Sequence, residues 1–141
     1  MPESSSAVGG TTARAHMSDH FQLTRGWFGA TPALRLTGPL VFGEALTRIH
    51  DVVAGIASQG YSRVVIDVAG VEHADSSGLS ALLDITRVIG GRGAQGVVLL
   101  RPPARLVAAL ALIRVTSQFD VVATEAEVVS RFGEWHNEFD Q

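Results

Sequence analysis

Residues 64–83 read VVIDVAGVEHADSSGLSALL, and this stretch decides the fold. It begins inside a short β-branched run, Arg63 to Val68 (RVVIDV), the composition of a strand buried on both faces. Gly70 to Ala74 reads as a loop. Asp75-Ser76-Ser77 follows, just before an apolar stripe of Leu79, Leu82, Leu83, Thr86 and Ile89 at helical spacing. Gly90, Gly91 and Gly93 end that helix. A buried strand feeding an amphipathic helix is half of a parallel strand–helix–strand unit.

The same alternation extends in both directions. Upstream, Phe21 to Trp27 alternates as a first, edge strand; Thr31-Pro32 reads as a turn. Ala33, Leu34 and Leu36 form a second strand ending at Gly38-Pro39, and the short link makes the pair antiparallel. Gly43 to Gln59 is helical, with Ala45, Leu46, Ile49, Val52, Val53 and Ile56 on one stripe and Gly60 as its stop. Downstream, Gly96 to Leu100 is another buried strand, and Pro102-Pro103 opens a third helix with Leu106, Val107, Leu110 and Ile113 on its apolar side. Phe119 to Val122 reads as a last strand. Glu125 to about Asn137 reads as a final helix whose apolar side carries Val128, Val129, Phe132 and Trp135. The expected class is α/β: one domain, a mostly parallel sheet of four to five strands, an antiparallel N-terminal strand pair and about four helices.

The domain is expected over residues 19–137. Residues 1–18 lack periodicity and large apolar groups, so they read as a disordered tail, and 138–141 as a C-terminal tail. His16-Met17 resembles the junction left by a vector-derived segment, with Met17 as the natural start. The 141 residues include 46% hydrophobic and 18% charged, with a net charge of −3, and no Lys/Arg block points to direct nucleic-acid binding. There is no cysteine, which excludes disulfides and thiolate metal sites. No apolar run approaches the roughly 18 residues of a bilayer span, and the first residues do not read as a secretory signal. The expectation is a cytoplasmic protein without membrane insertion.

Asp75-Ser76-Ser77-Gly78 lies where a helix begins and backbone N–H groups lack partners. One reading is capping, for which Asp and Ser are both suited. A second starts from the doubled serine: one cap needs one side chain, so Asp75 or Ser76 suffices and Ser77 is left to face solvent. A phosphate there would meet the positive end of the helix dipole, and would add roughly −1.5 to −2 charge beside Asp75 and Glu72. The fold would tolerate it, and a partner docked on the surface would not. On the helix that follows, Ala81, Asp84, Arg87 and Val88 are expected to point outward near Ser77.

This stretch resembles the core motif of STAS domains, found in bacterial anti-sigma-factor antagonists and at the cytoplasmic ends of sulfate-type transporters. The resemblance rests on Asp67 at the strand end and on Asp75-Ser76-Ser77-Gly78-Leu79 at the helix start, and it extends from LRLTGPLVFGEA at Leu34 to Phe119-Asp120. It implies a partner switch. The unphosphorylated domain binds an anti-sigma factor that is itself a serine kinase; phosphorylation of Ser77, alternatively Ser76, dissociates the complex; a PP2C-type phosphatase resets it. The implied partner-binding residues are Asp75, Ser76, Ser77, Gly78, Ala81 and Asp84. No catalytic residue, cofactor or metal is implied, and a homodimer is compatible. Asp67 is expected to orient the Asp75 loop or to cap a turn. Two features depart from the family pattern: His73-Ala74 replaces an aromatic–aliphatic pair, and Gly38 to Glu44 (GPLVFGE) lacks an Asp common in antagonists. The alternative is a STAS-type scaffold or transport-complex subunit that binds a protein partner without a phosphoswitch.

Other chemistries fit less well. A nucleophile elbow needs Gly two residues before and after the serine, where Ser77 has Asp75 and Leu79; a triad would need His136 and an acid such as Asp120 beside it. His16, His20, His50, His73 and His136 lack metal-ligand spacing outside the tail. Gly90-Gly91-Arg92-Gly93 follows a helix and reads as a turn, not a phosphate cradle.

Overall fold

The computed structural model describes residues 20–90 and 96–138. Strands β1 (Gln22–Phe28) and β2 (Thr31–Thr37) form an antiparallel hairpin; helix α1 (Glu44–Ser58) leads to β3 (Val64–Gly70) and α2 (Ser76–Ile89). Then follow β4 (Val97–Leu100), α3 (Ala104–Leu112), a 3-10 turn (Thr116–Gln118), β5 (Asp120–Val122), α4 (Glu125–Phe132) and β6 (Trp135–Asn137). The sheet order is β5-β4-β3-β2-β1-β6, with β2 to β5 parallel and β1 antiparallel to both its neighbours. The α/β class, the antiparallel N-terminal pair and the four helices are as expected. Residues 1–19, with the whole of the expected N-terminal tail, residues 139–141 of the expected C-terminal one, and Gly91, Arg92 and Gly93 lie outside the described residues.

The period-2 alternation of the central strands splits the core into two layers. Leu34, Leu36, Val64, Ile66, Val68, Val97 and Leu99 face one side and pack against Ile49 and Val53 of α1, Leu82 and Ile85 of α2 and Leu106 and Leu110 of α3. Phe28, Ala33, Val65, Val98, Leu100 and Val122 face the other, covered by Val128 of α4 with Phe132 and Trp135. On α2 the buried positions are Gly78, Leu82, Ile85, Thr86 and Ile89, whereas Leu79 and Leu83 are half-buried. On α3, Leu106 and Leu110 are buried but Ile113, placed on the apolar side above, is 48% exposed, because the helix has already ended at Leu112.

The structure corrects the sequence reading at three places. The turn is Gly29-Ala30, not Thr31-Pro32: Phe28 pairs with Thr31, leaving a two-residue hairpin turn with Gly29 at φ 60. The final helix stops at Phe132 rather than Asn137, because Gly133 takes φ 121 and the chain leaves as β6. Consequently β1 is no edge strand: Gly26, Trp27 and Phe28 pair with Asn137, His136 and Trp135. The residue after β6, Glu138, donates its N–H to the Arg25 carbonyl (3.2 Å). No described helix is long and apolar enough to cross a membrane.

Candidate functional site

β2 and β3 are parallel, so the loops that follow them emerge at the same end of the sheet. These loops are bonded together. The Leu40 N–H donates to the His73 carbonyl (2.9 Å), and the Asp75 N–H donates to the Leu40 carbonyl (3.2 Å). The Asp75 carboxylate completes the junction: one oxygen accepts from the Gly78 N–H (2.8 Å) and the other from the Phe42 N–H (3.0 Å). Asp75 thus caps α2 and holds the start of the α1 loop with one group. These donors, with the Phe42 N–H foremost, hold its carboxyl below the ordinary Asp value.

The cap needs only Asp75, so both serines remain in the first turn with their hydroxyls outside the hydrogen bonds of the junction. Ser76 is exposed and Ser77 half-buried. Gly78 is buried, because the helix start presses against Leu40: a Cβ here would collide with the Leu40 carbonyl oxygen. Asp75, Ser76, Ser77 and Gly78 are therefore brought together as one corner. Ala81 and Asp84, expected with Arg87 and Val88 on the outward face, lie on the α1 side of α2, where Ala81 is half-buried and the Asp84 side chain 49% exposed. With Val88 they line a crevice of about 110 Å³ between α2 and α1, opposite Leu46, Ile49, His50 and Val53. Of that expected face, Arg87 is exposed and ion-paired with Asp84 (3.8 Å).

Asp67 caps a turn, as one of its two expected roles had it: its carboxylate accepts from the Ala69 N–H (3.1 Å). Its other oxygen does not reach the Asp75 loop. It accepts from Arg35 (2.8 Å) and Arg101 (2.7 Å), and Arg35 also binds Glu125 (3.1 Å). Arg101 follows β4 in a left-handed conformation, φ 55. Its guanidinium is held in the charged form most strongly by the bond to Asp67. This cluster lies on the α4 side of the sheet, where Arg35 stacks on the Trp135 ring at 4.1 Å. Sequence reasoning missed it, and missed Phe42, which is 82% exposed beside the serines.

A hydrolytic triad has no geometric basis. His136 bonds the Gly29 carbonyl (3.3 Å) at the hairpin end of the sheet, opposite the Ser77 end, and Asp120 is held by Arg131 (2.6 Å). Among the described residues no group of three or more His, Cys, Asp or Glu side chains is arranged to hold a metal. A crevice of about 50 Å³ lies between Val71–Ala74 and Arg105, Leu106 and Ala109, room for no more than a few waters.

Residues 23–123 match the family model described as Mlab, STAS domain. No curated protein matches the chain. Among solved structures, the anti-sigma factor antagonist SpoIIAA in its unphosphorylated form is similar with a TM-score of 0.60 and 24% identity, over 79% of this chain and 96% of that one. The Bacillus cell fate determinant SpoIIAA in the phosphorylated form gives 0.59 and 23%, over 79% and 98%. The murine anion transporter Slc26a9 in its inward-facing state gives 0.63 and 14%, over 81% of this chain but only 22% of the transporter. At these identities the likeness shows the fold.

Proposed function

The chain belongs to the STAS domain family, and from that premise we propose that it is a phosphorylation-controlled anti-sigma-factor antagonist. It binds an anti-sigma serine kinase while Ser77 is unmodified and releases it once Ser77 carries phosphate. In the modifying step the γ-phosphoryl group of ATP passes to the serine Oγ, the hydroxyl proton is lost and ADP leaves. A PP2C-type phosphatase returns the hydroxyl. The protein itself catalyses nothing in this cycle, which runs in the cytoplasm.

The observation that carries this reading is the division of labour at the start of α2. Asp75 alone supplies the cap, so the Ser77 hydroxyl is free of structural duty in the first helical turn. A phosphate there meets the positive end of the helix dipole and leaves the fold intact. It also adds roughly −1.5 to −2 charge to a surface that already holds Asp75, and a docked partner must desolvate that charge. Ser76, the more exposed of the pair, is the alternative acceptor. The partner surface comprises Asp75, Ser76, Ser77 and Gly78, continued by Ala81 and Asp84 along the α1 side of α2. The likeness to SpoIIAA, solved in both unphosphorylated and phosphorylated forms, supports the same reading.

The test is intact-mass spectrometry after incubation with ATP and the ATP-binding anti-sigma kinase encoded in the same genome. One added phosphate that disappears in Ser77→Ala supports the reading; persistence in Ser77→Ala but loss in Ser76→Ala moves the acceptor by one residue. Absence of both phosphate and binding with every such kinase overturns it. The second reading, a scaffold or transport-complex subunit without a phosphoswitch, is favoured by the likeness to an anion transporter, and a neighbouring permease gene would support it.

A further inference from the structure

Phe42 is 82% exposed, and the residue after it is Gly43 at φ 141 and ψ −163, a backbone region open essentially to glycine alone. Beyond its two chain neighbours, nothing lies within 4 Å of where a Gly43 Cβ would be, so packing does not explain the glycine. Its conformation shapes the path by which the chain turns from Phe42 into α1. The Phe42 backbone is in turn fixed from across the junction, through its N–H bond to the Asp75 carboxylate. Other large exposed apolar residues, Leu112, Ile113 and Val121, lie on α3, at its end and on β5. Phe42 differs from them in being held by the group that precedes the two serines.

Resting on the reading above, we propose that Phe42 is the apolar anchor by which the kinase partner grips this corner, and that Asp75 couples its position to the state of Ser77. The partner offers an apolar pocket for the ring. An exposed aromatic on a constrained backbone loses little entropy on docking and buries a large apolar area, the pattern of a binding hot spot. The coupling follows from charge. Asp75 accepts from the Phe42 and Gly78 N–H groups. A phosphate on Ser77 competes for the same helix-start N–H groups and repels the carboxylate. Displaced from its cap, Asp75 lets go of Phe42, and the anchor loses its set position.

The test has two arms. In the first, kinase binding is measured by calorimetry for wild type, Phe42→Ala and Phe42→Tyr. The expected result is at least about tenfold weaker binding by Phe42→Ala, near-wild-type binding by Phe42→Tyr and unchanged melting of all three. Equal affinity of wild type and Phe42→Ala overturns the anchor while leaving the switch standing; no binding by wild type removes the switch and the anchor together. In the second arm, amide hydrogen exchange at Phe42 is compared between the unmodified protein and protein carrying phosphoserine at position 77. Exchange at least about tenfold faster in the phosphoprotein is expected. Equal rates overturn the coupling through Asp75.

Discussion

Gly78 and Leu40 approach so closely that no side chain fits between them: a Cβ on Gly78 would run into the Leu40 carbonyl oxygen. That oxygen already accepts from the Asp75 N–H, so it has no freedom to retreat. The glycine after the serines therefore serves the seating of α2 against the neighbouring loop. Gly78→Ala is expected to destabilise the fold by about 2–3 kcal/mol, as overpacking against fixed backbone does. Urea denaturation of the two proteins measures this directly.

The Asp75 junction makes part of the stability acid-sensitive. Its carboxyl is held below the ordinary Asp value of about 3.9, so the charged form is preferred in the folded state. The stabilisation is present above the unfolded pKa and is lost as pH falls through the lower, folded pKa. Asp75→Ala should melt lower than wild type at pH 7, and the gap should close as pH falls below about 4. Melting curves from pH 7 to pH 2.5 give both slopes.

The cluster on the α4 side predicts unequal losses. Asp67 is 3% exposed and depends on Arg35 and Arg101. Arg35→Ala leaves the buried carboxylate with one arginine and strips the cation from the Trp135 ring. It should cost about 2–4 kcal/mol. Glu125→Ala removes a half-exposed partner and should cost less than about 1 kcal/mol. Equilibrium unfolding followed by tryptophan fluorescence separates the two.

β6 is held by one side chain more than by its three-residue ladder. Trp135 meets Phe28 edge to face at 5.3 Å and lies over Gly26, where a Cβ would strike its ring. Trp135→Ala should cost about 2–3 kcal/mol, and Gly26→Ala should release β6 by displacing the ring. Hydrogen exchange at the β6 amides, faster in both variants, is the readout.

Much of this architecture is legible along the chain because it is local. The stripe of α1, the RVVIDV run and the Asp-Ser-Ser-Gly cap each declare themselves within a few residues, and the structure keeps them. β6 does not, because Val128, Val129, Phe132 and Trp135 fit a helical stripe and only the Gly133 conformation and the pairing with β1 break it. Ile85 was missed on α2 for a related reason: Leu79 and Leu83 compete for the same stripe and end half-buried. The Asp67 cluster joins residues 32, 34 and 90 positions apart in its hydrogen bonds, beyond any periodicity. At the candidate site the cap was visible, but the bond from Phe42 across 33 positions was not.

Both rims of the sheet are stubs, since β5 and β6 contribute three residues each. A strand from another molecule can add to a sheet only where a run of free N–H and C=O groups awaits it, and a three-residue rim offers very few. Beside β6 the uncovered part of β1 carries Arg25, paired with Glu138 at 3.2 Å, and a charged side chain there discourages a hydrophobic newcomer. Copies brought together at high concentration thus find little purchase for growing one sheet into the next.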